Sequence, residues 1–262
     1  MRHMRQRYGQ HFLVNERVIE QIIQAARRLQ TKQLVEIGPG KGALTFALIR
    51  AGFSHFKAAE IDPEMISFLK QHLPPQAGVN ILEGDFSLLP PETLLPEDTL
   101  FVGNLPYAAA ADILDKTLSF PYFSAAVFMF QKEQANRIQA QPGGEFYGPL
   151  SILSQARAKI SLLCQVGKGS FNPPPKVESA VLVFEKLSQP AVEKDAWPFF
   201  KKVVQSSFLH RRKTIYNALL LCGFDKEKIT RALERAGVDL QTRPEKISLL
   251  QFKQISQTLS AK

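Results

Sequence analysis

The sequence predicts an α/β fold: a mostly parallel, helix-covered sheet with an antiparallel hairpin at one edge, then a small all-helical C-terminal domain. Three observations predict it. Short apolar runs alternate with longer amphipathic ones through the first half of the chain. Two further strand-like runs bracket the proline-rich stretch Asn172-Pro-Pro-Pro-Lys176. Beyond Gln189-Pro190 only helical spacing persists. Strand–helix alternation of the first kind indicates parallel strands joined by crossover helices.

In order along the chain, Val18, Ile22, Ala25, Ala26 and Leu29 fall on one helical face, with Asn15 as N-cap. Strands are expected at 34–37, 56–60, 79–82, 99–102 and 125–130, with helices at 44–50, 63–72 and 109–118 between them. Runs 159–166 and 180–184 form the edge hairpin. Helices follow at 197–209, 213–221, 226–236 and 249–259, with Gly223 and Gly237 at C-terminal stops. The boundary is placed near 188, giving domains 1–188 and 189–262.

Composition narrows the function. The chain has 262 residues, 45% hydrophobic and 22% charged, which is ordinary globular usage and excludes a disordered chain. Its apolar runs are far shorter than the roughly 20 residues a membrane span needs. The basic N-terminus lacks a following apolar stretch, so no secretory signal is expected and the chain reads as cytoplasmic. Cys164 and Cys222 are too few and too far apart for a disulfide framework or a zinc spacing, and read as buried small hydrophobes. The five histidines are scattered, so no metal is expected.

The net charge of +9 is unevenly placed. Residues 1–30 carry net +4 and residues 190–262 net +7, while the middle carries net −2. Basic ends on a near-neutral body suit a polyanion. Arg5 and Arg7 at one end, and the run Arg211, Arg212, Lys213 at the other, are the candidate contacts. Cations disfavour a helix N-terminus, so a phosphate partner accounts for a basic run placed where a helix starts.

Glycines at Gly38, Gly40 and Gly42 follow a strand pattern and open a helix, as a ligand-cradling turn requires. No Gly-Lys-Ser/Thr stands at the offset a P-loop needs. Gly38, Gly40 and Ala43 also fit a dinucleotide fingerprint, with Glu60 at 22 positions beyond Gly38 suited to ribose hydroxyls. Asp85 ends the third strand run and suits either an adenine amine or a turn cap. The quartet Asn104-Leu-Pro-Tyr107 then separates the cofactor classes. The Asn104 amide oxygen and the Leu105 carbonyl, aimed by Pro106, can accept from one exocyclic amine, and Tyr107 offers a stacking face. Nicotinamide chemistry has no use for such a quartet.

This combination resembles class I methyltransferases acting on adenine N6. Tyr8-Gly-Gln-His-Phe-Leu13, Gln131-Lys-Glu133, Tyr147-Gly-Pro-Leu-Ser151 and Phe171-Asn-Pro-Pro-Pro-Lys-Val177 occur in order. Together they resemble the small-subunit ribosomal RNA adenine dimethyltransferases, the kasugamycin-resistance family, across residues 7–186. Ser207-Phe-Leu-His-Arg-Arg-Lys-Thr214 extends the likeness into the tail.

The resemblance implies a Rossmann-like sheet binding S-adenosylmethionine, with His11, Leu13, Gly38, Gly40, Glu60, Asp85 and Asn104 lining the donor site. It implies that Asn104 and Leu105 hold the target amine and that Tyr107 and Phe171 sandwich an extruded adenine. The implied substrate is a pair of adjacent adenosines in a hairpin loop near the 3′ end of 16S rRNA, within the immature small subunit, methylated by a monomer. Position 108, often Asn in the family, is Ala here. Three other readings compete: a non-catalytic assembly or transcription-factor relative, a large-subunit rRNA methyltransferase of the antibiotic-resistance kind, and a DNA adenine methyltransferase. The intact quartet, the Phe171–Lys176 segment with its helical tail, and the lack of a DNA-reading motif count against them in turn.

Overall fold

The computed structural model describes residues 11–94, 97–210 and 212–261. Two compact units form. One takes the chain to Ala135 and again from Ile160 to Lys186, and the other takes Asn136–Lys159 and Leu187–Lys262.

The first unit is built on a sheet whose strands are β2 (Gln33–Ile37), β3 (Lys57–Glu60), β4 (Asn80–Glu83), β5 (Thr99–Asn104), β6 (Phe123–Gln131), β7 (Ala158–Val166) and β9 (Ser179–Lys186). They lie in the order β4-β3-β2-β5-β6-β9-β7. The pairs β3–β4, β2–β3, β2–β5 and β5–β6 are parallel, and β9 runs antiparallel to β6. β5 and β6 are almost wholly apolar and buried, as parallel strands covered on both faces must be. The hairpin expected at one edge is present, with β9 paired to β6 and β7 outermost. A separate antiparallel pair joins β1 (Phe12–Leu13) to β8 (Phe171–Asn172).

Helix α1 (Glu16–Arg28) is capped by Asn15, whose Oδ1 accepts from the Val18 N–H at 3.2 Å. It buries Val18, Ile22 and Ile23 with Leu34, Leu100 and Val127 of the sheet. Helix α2 (Ala43–Arg50) follows the glycine turn. Asp62 caps α3 (Pro63–His72), with Pro63 in the first turn where its missing N–H costs nothing. Helix α4 (Ala110–Ser119) follows β5.

The division falls between Lys186 and Leu187, beside the boundary expected near 188, but the expected domain 1–188 does not stay whole. Segment 136–159 belongs with the C-terminal helices rather than with the sheet. It carries the end of α5 (Lys132–Gln139) and all of α6 (Pro149–Gln155). Tyr147, Ile152 and Ala156 share one apolar core with Phe200, Val203, Leu219, Leu233 and Phe252. The Tyr147 hydroxyl donates to the Ile247 carbonyl at 2.9 Å. Composition changes at Pro190, but burial is decided by where an apolar face finds a partner, which composition does not record.

The C-terminal helices are α7 (Trp197–Leu209), α8 (Ile215–Leu221), α9 (Lys226–Arg235) and α10 (Leu249–Ser260). Thr214, Asp225 and Ser248 cap the last three. Gly223 and Gly237 take positive φ just past α8 and α9, as expected of helix stops. Trp197 packs 5.6 Å from Phe200, with the Arg157 guanidinium over its ring. Cys164 and Cys222 are half-buried rather than buried. Cys164 lies on a strand at the sheet edge, which leaves one face uncovered. No described helix is long and apolar enough to cross a membrane.

Candidate active site

The strand order reverses between β2, which passes to β3 on one side, and β5 on the other. In open α/β sheets the crevice beyond the strand ends at such a reversal is where ligands sit. Both motifs singled out in the sequence lie there. The chain leaves β2 through Gly38, Gly40 and Gly42, all at positive φ. A Cβ on Gly42 would stand 2.6 Å from the Phe46 ring, and one on Gly40 would stand 3.1 Å from Phe12.

Glu60, at the end of β3, closes the turn. Its carboxylate accepts from the Gly40 N–H at 2.9 Å and from the Ile61 and Asp62 N–H groups at 2.9 Å each. Burial raises its pKa, and these bonds oppose the shift. A diphosphate would need the Gly40 N–H that Glu60 already holds, and it would meet a carboxylate there. The dinucleotide reading loses its anchor.

Asp85 caps the turn after β4, its Oδ1 accepting from the Ser87 N–H at 2.8 Å. Its other oxygen has no partner among the described residues. Two carboxylates beside an apolar surface, with the glycine turn below, suit a nucleoside carrying a cationic sulfonium. The donor site implied by the sequence therefore fits S-adenosylmethionine.

Asn104 ends β5. Its Nδ2 donates to the His11 carbonyl at 3.0 Å, which leaves Oδ1 as the open acceptor. The Leu105 side chain is buried, and its carbonyl has no partner among the described residues. Tyr107 is half-buried and shares a hydrogen bond of 2.9 Å with the Ser179 hydroxyl. Burial raises the Tyr107 pKa, so the phenol stays neutral. The His11 ring lies 5.9 Å from Tyr107, and its Nδ1 is 2.8 Å from the Pro173 carbonyl, which as an acceptor selects the Nδ1–H tautomer.

The two motifs meet. A Cβ built on Gly38 would lie 3.9 Å from the Asn104 carbonyl, and one on Gly103 would lie 2.6 Å from the Ile37 carbonyl. The turn and the quartet therefore open onto one crevice. Leu13 pairs with Phe171, which brings β1 over the site from the far end of the chain.

Phe171 departs from expectation. Its side chain is only 3% exposed and packs in the core with Leu13 and Val166, so it presents no face for stacking as Tyr107 does. Its backbone is engaged with β1, and that pairing turns the ring inward. The basic run is also relocated. Arg212 and Lys213 are exposed in the turn before Thr214, outside α8. Arg5, Arg7 and Arg211 lie outside the described residues. No cluster of three His, Cys, Asp or Glu able to hold a metal occurs among the described residues.

Sequence reasoning missed three residues. Ile61 follows Glu60 and stays 43% exposed, an apolar surface beside the ribose-type carboxylate. An exposed isoleucine directly after a strand-end acid was its available signal. Ser179 is fully buried and holds Tyr107 from 72 positions away, which no local pattern records. Glu36 is buried and accepts from the Thr45 hydroxyl at 2.7 Å. Burial pushes its pKa up to about 8, opposed by the Thr45 bond and reinforced by the Glu60 charge. It braces the turn from beneath as a neutral acid.

Comparison with known proteins agrees with the geometry. The family model described as ribosomal RNA adenine dimethylase matches residues 1–261. A ribosomal RNA small subunit methyltransferase A from Pseudomonas syringae pv. tomato is 37% identical over 267 residues, covering 98% of this chain and 95% of its own. One of the same name from Clostridium botulinum is 35% identical over 251 residues, covering 95% and 91%. The crystal structure of a dimethyladenosine transferase from Plasmodium falciparum superposes with TM-score 0.77 at 25% identity, covering 94% of this chain and 96% of that one. That of the 23S rRNA methyltransferase ErmE shares the fold, with TM-score 0.72 at 24% identity over 95% of this chain and 100% of that one. Matched by that family model over residues 1–261 and by curated relatives at 35% and 37% identity along nearly its whole length, this chain belongs to the ribosomal RNA adenine dimethylase family.

Proposed function

We propose that this protein dimethylates N6 of two adjacent adenosines in a hairpin loop near the 3′ end of 16S rRNA, acting as a cytoplasmic monomer on the immature small subunit. The names of its full-length relatives support the small-subunit target. The observation that carries the chemistry is the approach of the glycine turn to the Asn104 backbone, at 3.9 Å from a Cβ on Gly38. When bound, S-adenosylmethionine supplies an electrophilic sulfonium methyl. The chain's own task is to hold the attacking nitrogen at about 3–3.5 Å in line with it.

Adenine N6 is a weak nucleophile because its lone pair is delocalised into the ring. Asn104 Oδ1 and the Leu105 carbonyl favour the pyramidal nitrogen and stabilise its developing positive charge. The His11 carbonyl contributes by holding the amide so that oxygen, not NH2, faces the amine. Tyr107 receives the extruded base on its ring, since N6 cannot be reached inside a stack. Ser179 keeps that ring in place. Phe171 acts by packing, anchoring β1 across the site. Arg212 and Lys213, with the basic ends Arg5, Arg7 and Arg211, meet phosphates, so affinity falls with salt.

The test incubates the protein with labelled S-adenosylmethionine and, in parallel, immature small subunits and large subunits, then maps modified nucleosides by mass spectrometry. N6,N6-dimethyladenosine at two neighbouring positions is expected. Label confined to large subunits would overturn the small-subunit assignment.

A further inference from the structure

The turn that carries Asp85 is clamped by a residue on another element. Lys116 lies on α4, near its C-terminal end. Its ammonium donates to the Ser87 carbonyl at 2.8 Å and to the Leu89 carbonyl at 2.5 Å. It also lies 5.5 Å from the centroid of the Phe86 ring. Ser87 is thus held at both ends, its N–H by Asp85 and its carbonyl by Lys116. Between the two carbonyls drawn toward Lys116, Leu88 is turned out and 80% exposed.

The ammonium is charged, yet it forms no ion pair with Asp85. Asp85 therefore surrenders no oxygen to it. Partial burial lowers the Lys116 pKa, and the Asp85 charge opposes that shift.

We propose that Lys116 is a positioning residue for the adenine end of the methyl donor, fixing the Asp85 turn so that the second carboxylate oxygen stays aimed at the adenine amine. This rests on the reading of Asp85 as the adenine contact. Helix α4 starts just beyond the Asn104–Tyr107 quartet, so one rigid element runs from the target clamp to the turn that reads the donor's base. Replacing the ammonium by an apolar group leaves two carbonyls without their donor and frees the turn to rotate.

The test uses the full-length protein, S-adenosylhomocysteine and its 6-oxo analogue S-inosylhomocysteine, which lacks the exocyclic amine. Titration calorimetry gives affinities, and steady-state methylation of small subunits gives kcat and the donor KM. Wild type is expected to favour the adenine compound. Lys116→Met is expected to weaken S-adenosylhomocysteine about tenfold, the scale of lost hydrogen bonds to a charged group. It should also erase most of the preference over the 6-oxo compound and raise donor KM with kcat little changed. Lys116→Arg should restore most of both.

Asp85→Ala, which leaves no side-chain acceptor, is the control. If it keeps full adenine preference, the Asp85 reading itself fails and the proposal falls with it. If Asp85→Ala loses the preference while Lys116→Met retains it, the positioning role alone is refuted. Equal weakening of both compounds in Lys116→Met also refutes it, since a merely structural lysine would act that way. Should Lys116→Met not fold by circular dichroism, Lys116→Gln replaces it under the same criteria.

Discussion

The sheet unit and the helical unit hold their polar groups in different ways. In the sheet unit the decisive bonds span the chain. Asn104 reaches His11 across 93 positions, Tyr107 reaches Ser179 across 72, and His11 reaches Pro173 across 162. In the helical unit many polar bonds are caps closed within three residues, at Thr214, Asp225 and Ser248. The groups proposed to meet phosphates, Arg212 and Lys213, are exposed in a turn. The difference teaches that a reacting geometry needs tertiary bonds from several segments, whereas a phosphate-binding surface needs only exposure and charge. Single substitutions should therefore act steeply in the first unit and gradually in the second.

The largest effect is expected at Asn104. Asn104→Ala removes the open amide acceptor and should cut turnover by about 10²–10³, the scale of a lost transition-state hydrogen bond. Thermal unfolding should stay near wild type, because Asn104 is only partly buried. Turnover within a few-fold of wild type would break the comparison at its centre.

Next comes Gly103. A Cβ there would stand 2.6 Å from the Ile37 carbonyl, on backbone that cannot swing aside. Gly103→Ala should force β2 and β5 apart and cost roughly 1–3 kcal/mol, the usual penalty of overpacking. Denaturant unfolding measures it, and an unchanged midpoint would show that the strand ends are looser than their contact implies.

Glu36 sharpens the comparison through pH. Its pKa is about 8 folded against 4.5 unfolded. Between those values the unfolded state gives up a proton that the folded state keeps, so stability falls as pH rises through that window. The contribution is intact below the unfolded value and fully lost above the folded one. Glu36→Gln keeps an acceptor for Thr45 without the proton. Its stability relative to wild type should rise by roughly a few kcal/mol between pH 4.5 and 8. A constant difference in Tm across that range would contradict a neutral Glu36.

The smallest effects belong to the helical unit. Arg212→Ala and Lys213→Ala should each weaken binding of small-subunit RNA a few-fold and reduce the salt slope by about one per residue. Measured across salt concentrations, the losses should add. A steep loss from one of them, independent of salt, would mean that this turn positions its groups as strictly as the crevice does.

Much of this was legible in advance. Asn15 and the expected helices at 63–72 and 197–209 stand where local spacing and capping chemistry put them. The glycine turn was visible too, because positive φ and close approach leave few other residues. What was not legible depended on partners distant in the chain. Phe171 reads as an aromatic ready to stack, and only its pairing with Leu13 turns it into the core. Segment 136–159 reads as part of the sheet domain, and only its burial against the C-terminal helices moves it. Ser179 and Lys116 carry no pattern at all.

By itself, then, the sequence determined the order and kind of the elements, the glycine turn, the Asn104–Tyr107 quartet and the basic ends, since periodicity, caps and residue chemistry act over a few positions. The tertiary structure alone decided that turn and quartet approach each other, that the His11 carbonyl engages the Asn104 Nδ2 and leaves its oxygen open, and which aromatic is half-exposed. Those outcomes follow from strand order and long-range hydrogen bonds. Such bonds form only when segments far apart in the chain are brought together by burial of a common core.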